Sequence, residues 1–183
     1  GKNISSYSKH ALMHHIAFVF QTSKLFKTSI FENVKMGNKN ASDEEVMNAL
    51  RLARCEDILA KFPEREKTVI GSKGVHLSGG EIQRVAIARA ILKNADIIIL
   101  DEASAAADPE NEYEIQQAFS NLMKNKTVIM IAHRLSSIKN VDEILVVEDG
   151  NIAERGSDAE LMQKGGKYSH LQRLYSKANE WRV

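Results

Sequence analysis

Four short apolar runs, rich in β-branched residues, do not alternate with polar residues. They are IAFVF (16–20), IIIL (97–100), TVIMIA (127–132) and ILVV (144–147). An unbroken apolar run of this length is typical of a strand buried on both faces, as in a parallel sheet covered by helices. The runs therefore predict a sheet at the centre of the molecule.

Helical patterns lie between these runs. The segment 42–62 is predicted to be helical, because Ser42 and Glu45 have the spacing of a capping box and apolar residues recur on one face. Strands that alternate with helices indicate a layered α/β domain. We therefore expect an α/β core, with an inserted helical subdomain where the alternation is interrupted. The core is expected to comprise residues 1–21 and 94–183, and the helical subdomain residues 22–93.

Two signals define the later part of the chain. Asp149 and Gly150 follow the fourth apolar run, and an Asp-Gly step predicts a β-hairpin. Ser157 and Glu160 then repeat the capping-box spacing before a short helix that Gly165 is expected to end.

Composition excludes several classes of protein. With 183 residues, 43% hydrophobic and 27% charged, the chain has the composition of a globular domain. Its net charge of +1 provides no general attraction to nucleic acid. No apolar run reaches the length of a membrane span, and the lone Cys55, set in a helical pattern, is expected to be a packing residue.

Polar side chains follow three of the predicted strands. Gln21 follows the first run, Asp101 and Glu102 follow the second, and His133 follows the third. Ligands of open parallel sheets bind beyond the carboxyl ends of the strands. These side chains could hold a divalent cation and orient a water on a phosphoryl group, although a strand that leaves the core also ends in a polar residue.

A glycine pair opens one of the predicted helices. Ser78 and Glu81 form a capping box, so the helix begins at Gly79 and Gly80, at a cost of about 2 kcal/mol in helix propensity. A helix N-terminus without side chains could let an anion approach the backbone N–H groups. The alternative is a plain capped helix in which the glycines serve packing.

The motifs around these residues resemble those of the ATP-binding cassette superfamily. LSGGE (77–81) with the following IQRVAIARAIL is similar to the signature motif, and DIIILDEAS (96–104) to the Walker B strand. FVFQTSKLF resembles the Q-loop, ASAAAD the D-loop, and the segment from IAHRLSS to GSDAEL the switch-histidine region of cassette exporters. The resemblance covers the whole chain and implies a P-loop NTPase-like α/β fold.

The resemblance also implies a role for each residue at the strand ends. Asp101 should hold Mg²⁺ through water, and Glu102 should be the general base for the attacking water. Gln21 should sense the metal and the γ-phosphate of ATP, and His133 should contact that phosphate. The implied reaction is ATP hydrolysis, in which catalysis is mostly positioning and charge stabilisation.

The remaining implied roles concern a partner. Ser78, Gly79, Gly80 and Glu81 should close over ATP held by a second cassette domain, in a head-to-tail homodimer or heterodimer, with Asp108 at the interface. The exporter-type motifs imply a transmembrane domain in the parent protein and a place on the cytoplasmic face of the membrane. They imply no nucleic-acid partner.

One family motif is absent from the sequence. No G-x-x-x-x-G-K-[ST] phosphate-binding loop occurs in the 183 residues, and the chain opens at Gly1 inside patterned sequence, so we expect it to be truncated. Such a chain should bind ATP poorly, hydrolyse none and have a partly uncovered, aggregation-prone sheet. Smaller departures are AAAD in the D-loop and Ser72 and Lys73 in the loop before the signature motif.

Two other functions remain open at this point. A catalytically silent cassette could serve as a regulatory or interaction module, although Glu102 and His133 argue against it. A repair or chromosome-maintenance ATPase would share the motifs, but its long coiled coils would require a heptad pattern that the sequence lacks.

Overall fold

The computed structural model describes residues 3–71, 74–101, 109–132, 138 and 141–180. The chain divides into two compact units, Gly1–Ile131 and Ala132–Val183, which are described separately below. The predicted boundaries of a core and an inserted helical subdomain are not tested by this division and stay a prediction.

A parallel sheet forms the centre of the first unit. Its three strands are β1 (Ile16–Val19), β2 (Ile97–Asp101) and β3 (Thr127–Ile131), in the order β1-β2-β3. Val19, Leu100 and Met130 lie side by side across the sheet. The parallel sheet predicted from the first three apolar runs is therefore confirmed.

The fourth apolar run forms a hairpin in the second unit. It gives β4 (Ile144–Glu148), which pairs antiparallel with β5 (Asn151–Gly156). The connecting residues Asp149 and Gly150 both have positive φ angles, 48° and 76°, as a tight hairpin turn requires. The predicted hairpin is confirmed, but the expectation of a strand buried on both faces is wrong for this run, because Val147 is 66% exposed.

Eight α-helices are described. They are α1 (Lys9–His15), α2 (Ile30–Lys35), α3 (Asp43–Leu52), α4 (Glu56–Ala60), α5 (Gly79–Lys93), α6 (Pro109–Met123), α7 (Asp158–Lys164) and α8 (Lys167–Glu180). The predicted capping boxes that begin α3, α5 and α7 all form. No helix in the described part of the chain combines the length and the apolar character needed to cross a membrane.

The segment 42–62, which is predicted to be helical, forms two helices, α3 and α4. Arg54 adopts a left-handed conformation with φ of 59°, which ends α3 before α4 begins. The turn carries Cys55 and Ile58 together into the core, where both are fully buried. Cys55 is thus the packing residue that the sequence predicts, and its burial raises the pKa of the thiol.

Helices cover one face of the sheet. Ala17, Val19, Ile98 and Leu100 on that face are buried and belong to the same core cluster as residues of α5 and α6. Side chains alternate along a strand, so Phe18 and Ile129 point to the other face, where they are 39% and 53% exposed. The expectation that these strands are buried on both faces is therefore wrong, because large apolar side chains on the second face remain exposed.

Candidate functional site

Two predicted site residues lie at the carboxyl edge of the parallel sheet. Asp101 is the last residue of β2, and Gln21 follows the end of β1 by two residues. The register of Val19 beside Leu100 places both at the same edge. Gln21 is exposed and Asp101 is half-buried. Side chains alternate along β2, so Asp101 lies on the face of the sheet opposite to the buried Leu100.

Other predicted residues lie outside the described part of the chain. They are the general base, the D-loop aspartate, the switch histidine and the two residues of the loop before the signature motif, namely Glu102, Asp108, His133, Ser72 and Lys73. Their predicted roles therefore remain predictions.

The chemistry of the sheet edge suits Mg²⁺. This ion is held in phosphoryl-transfer sites by one or two carboxylates together with waters and substrate phosphates. Asp101 supplies a carboxylate and Gln21 an amide oxygen at the same edge. Within the described ranges, no group of three or more His, Cys, Asp or Glu side chains could hold a metal by itself. The edge offers a carboxylate and an amide oxygen, which fits an ion that is also held by waters and substrate phosphates.

The chain after Gln21 is anchored to two helices. Asn33 on α2 accepts a hydrogen bond from the Phe26 N–H (2.8 Å) and donates one to the Phe26 carbonyl (3.0 Å). Arg89 on α5 donates to the same Asn33 side chain (2.9 Å), and its guanidinium lies over the Phe26 ring. The polar segment that carries Gln21 is thus held at its far end.

The second group of predicted residues forms the start of α5, which we call the signature turn (residues 78–81). The Ser78 Oγ accepts a hydrogen bond from the Glu81 N–H (3.3 Å). In return, the Ser78 N–H donates to Glu81 Oε2 (2.6 Å). The N–H groups of Gly79 and Gly80 have no acceptor within the helix, as in any first helical turn. The turn is therefore closed by its own side chains, and two backbone donors of the first turn are left for an acceptor outside the helix.

The two glycines of the signature turn have different surroundings. A Cβ on Gly79 would meet no atom within 4 Å. A Cβ on Gly80 would lie 3.3 Å from Ile115 Cδ1 and 3.4 Å from the Asn111 Cβ on α6. Packing therefore accounts for the glycine at position 80, whereas the space above Gly79 is open to a ligand.

Glu81 forms an ion pair with a residue of another helix end. Its carboxylate is nearly buried, and Oε1 accepts a hydrogen bond from Lys61 Nζ at 2.5 Å, just after α4. Burial alone would raise the pKa of Glu81, but hydrogen bonds from Lys61 and Ser78 hold it below its usual value. The carboxylate is therefore charged near neutral pH.

A second ion pair ties α5 to its neighbours. Arg84 is 1% exposed and makes a bidentate pair with Asp57 on α4, with N–O distances of 2.7 Å and 2.8 Å. It also donates to the Arg54 carbonyl (2.5 Å) and to the Asn111 Oδ1 (3.2 Å). Burial alone would lower the pKa of Arg84, but Asp57 outweighs it, so the pKa lies above its usual value. The arginine thus links α4, α5 and α6 behind the signature turn.

These ion pairs are not foreseen from the sequence. Asp57 and Lys61 are four residues apart, which suggests a pair within one helix. In the structure each pairs instead with α5, Asp57 with Arg84 and Lys61 with Glu81. The sequence does not indicate these ion pairs between α4 and α5, because the relative position of the two helices depends on the turn at Arg54.

Comparison with known proteins identifies relatives over nearly all of the chain. A family model described as ABC transporter matches residues 1–105. The ATP-dependent lipid A-core flippase of Chromobacterium violaceum is 47% identical over 163 residues, which are 89% of this chain and 28% of the flippase. ABC transporter B family member 4 of Dictyostelium discoideum is 46% identical over 171 residues, which are 93% of this chain and 22% of that protein.

A solved structure is similar as well. It is the structure of a bacterial Atm1-family ABC exporter with ATP bound, which matches with a TM-score of 0.83 and 38% identity over 94% of this chain and 30% of that chain. The chain thus spans 22% to 30% of the length of these relatives. The similarity to the solved structure covers nearly the whole of this chain.

Proposed function

Because the chain belongs to the ABC transporter family and is an exporter-type ATP-binding cassette domain, we propose that it takes part in ATP hydrolysis that drives export across a membrane. In this proposal it pairs head to tail with a second cassette domain, as a homodimer or a heterodimer. It is joined or bound to a transmembrane domain and lies at the cytoplasmic face of the membrane.

The observation that carries the proposal is the open space at the signature turn. Gly79 has no neighbour in the direction of its missing side chain, and the capping box uses the Glu81 N–H, so the N–H groups of Gly79 and Gly80 have no acceptor within the helix. The positive end of the 15-residue helix α5 stabilises an anion at this point. In the proposal, Ser78, Gly79 and Gly80 bind the γ-phosphate of ATP held by the partner.

The carboxyl edge of the sheet supports the other half of the proposal. Asp101 would hold Mg²⁺ through water, and the ion would offset negative charge on the phosphates. Gln21 would orient near the metal and the γ-phosphate. Glu102 would act as general base on the attacking water, His133 would contact the γ-phosphate and Asp108 would lie at the interface with the partner. These roles follow from the family motifs.

The purified chain provides the first test. Its 183 residues lack the phosphate-binding loop, so we expect weak ATP binding and no hydrolysis with Mg²⁺. Isothermal titration with Mg-ATP and a phosphate-release assay would measure both. Hydrolysis by the purified chain would contradict the proposed need for additional sequence.

The second test restores the rest of an exporter. In a chimeric exporter, residues 1–183 replace the matching segment of the Chromobacterium violaceum flippase, which supplies the remainder of its own chain. We expect Mg²⁺-dependent ATP hydrolysis by this chimera in detergent or lipid. A folded, membrane-inserted chimera without hydrolysis would contradict the proposal and would favour a silent cassette that serves a regulatory role.

A further inference from the structure

The signature turn contains a carboxylate close to the place proposed for a phosphate. Glu81 is the third residue of α5, one turn or less from the N–H groups of Gly79 and Gly80. A charged carboxylate beside these donors repels an anion and weakens the attraction of the helix end. The turn therefore needs either a neutral carboxyl group or a counter-ion if it is to bind a phosphate.

The geometry favours an ionised Glu81. Its Oε2 accepts from the Ser78 N–H at 2.6 Å, and its Oε1 accepts from Lys61 Nζ at 2.5 Å. Both oxygens thus act as acceptors, and the lysine keeps the carboxylate ionised. The side chain of Glu81 is only 7% exposed, whereas that of Lys61 is 55% exposed. Because so little of the Glu81 side chain contacts water, solvent would do little to stabilise its negative charge if Lys61 were removed.

The nearby arginine is occupied by another carboxylate. Arg84 is bound by both oxygens of Asp57 and by the Arg54 carbonyl. Its charge is therefore offset by Asp57, and among the residues that the structure describes it is Lys61 that contacts Glu81 directly.

We propose that Lys61 is a positioning residue that neutralises Glu81 and holds the capping box closed, so that the signature turn can bind the γ-phosphate of the partner's ATP. This inference rests on the proposed function. Lys61 acts through Glu81 and does not itself contact the nucleotide. The pKa of Lys61 is raised above its usual value chiefly by its hydrogen bond to Glu81, in agreement with a charged pair.

The test is a double-mutant cycle in the chimeric exporter. Lys61→Met leaves the carboxylate uncompensated, so we expect the ATP concentration for half-maximal hydrolysis to rise about three- to tenfold. Lys61→Arg retains the charge and should recover most of the loss. In a Glu81→Gln background, where no carboxylate needs neutralising, Lys61→Met should change half-saturation less than about twofold.

A matched control tests whether removing any lysine that forms an ion pair has the same effect on half-saturation. Lys35 on α2 pairs with Asp43 on α3 at 3.2 Å in the same unit. Lys35→Met should leave half-saturation unchanged. Thermal unfolding of each variant shows whether an effect follows stability instead.

The outcomes distinguish the inference from the function on which it rests. If the unsubstituted chimera does not hydrolyse ATP, the proposed function fails before any variant is compared. If it does hydrolyse ATP, either of two results overturns the proposed role of Lys61 and leaves the proposed function standing. One is an unchanged half-saturation in Lys61→Met, and the other is a loss of the same size in the Glu81→Gln background.

Discussion

Neighbouring identical residues can serve different purposes, as Gly79 and Gly80 do. In the sequence both are poor helix formers at the start of a helix, and either packing or a ligand could explain them. The structure divides the two explanations, because Gly80 lies against Ile115 and Asn111 whereas Gly79 faces open space. Sequence reasoning could not make this division, since the packing partner comes from α6, about 30 residues further along the chain.

Alanine at each glycine should therefore have a different effect on stability. Gly79→Ala meets no neighbour, so we expect an unchanged or slightly raised Tm, with at most about 1 kcal/mol gained from helix propensity. A Cβ at position 80 requires Ile115 to give way by a few tenths of an ångström, so we expect Gly80→Ala to gain less stability than Gly79→Ala or to lose some. Thermal unfolding of the two purified variants measures both effects.

At Gly79, we expect the alanine substitution to affect ATP hydrolysis although it does not lower stability. In the chimeric exporter, Gly79→Ala places a methyl group where the γ-phosphate is proposed to approach and should reduce ATP hydrolysis despite the unchanged Tm. If Gly79→Ala destabilised the chain and left hydrolysis intact, position 79 would be a packing position after all.

Among the helices, α5 is the element on which the site depends. Its N-terminus carries the signature turn, and Arg84, within its second turn, contacts α4 and α6. Arg84 is almost fully buried, so its charge requires Asp57. The orientation of the signature turn is thus set by an ion pair behind it.

Removal of the partner carboxylate should destabilise the chain. Asp57→Asn leaves the buried Arg84 without a counter-charge, and we expect a loss of about 1 to 3 kcal/mol in the free energy of unfolding by urea. Asp43→Asn removes an exposed carboxylate from Lys35 and should cost less than about 0.5 kcal/mol, which makes it a suitable control. Equal losses in the two variants would contradict a special role for Arg84.

The same pairs predict a dependence on acid. Burial opposes ionisation of Asp57 and Glu81, but Arg84 and Lys61 hold both pKa values below their usual range. Because these pKa values are lower in the folded state, the pairs stabilise the fold above about pH 4.5 and lose that contribution as the pH falls further. Thermal unfolding between pH 7 and pH 3 should show this decline, and Asp57→Asn should reduce its steepness. A Tm independent of pH in that range would contradict the assignment.

At the scale of elements, patterns between residues a few positions apart predicted helix starts and a hairpin correctly. Features that depend on distant residues were not predicted. The capping boxes at Ser42, Ser78 and Ser157 and the Asp-Gly hairpin follow from residues within a few positions of one another, and all form. The break at Arg54 did not follow from periodicity. It depends on the core that receives Cys55 and on the contact of Arg54 with Glu114 of α6.

At the scale of the molecule, the exposed face of the sheet departs from the burial on both faces that the apolar runs predict. Phe18 stacks on Phe20 there, with ring centroids 5.7 Å apart, and Phe20 is 56% exposed. Ile129 and Ile131 extend the same apolar face across β3. The hydrophobic pattern of the sequence could not show that this face is exposed. A continuous apolar run has the same pattern whether or not its second face is covered by this chain.

The purified chain should therefore self-associate through this face. Phe20→Ser with Ile129→Thr makes the surface more polar at sites that already contact solvent, and should shift sedimentation toward the monomer mass of 20.5 kDa. Tyr113→Ser alters an exposed aromatic on α6 and should have no such effect. A chain that sediments as a monomer without any substitution would contradict this prediction.

We propose that this chain contributes a working catalytic base and a phosphate-binding helix end to an exporter ATPase. The most direct measurement is the rate of ATP hydrolysis by the chimeric exporter with Glu102→Gln, beside nucleotide binding by the same variant. A general base contributes a factor of roughly 10² to 10⁴, so we expect hydrolysis to fall by about that factor while ATP still binds. Hydrolysis at the unsubstituted rate would contradict the claim.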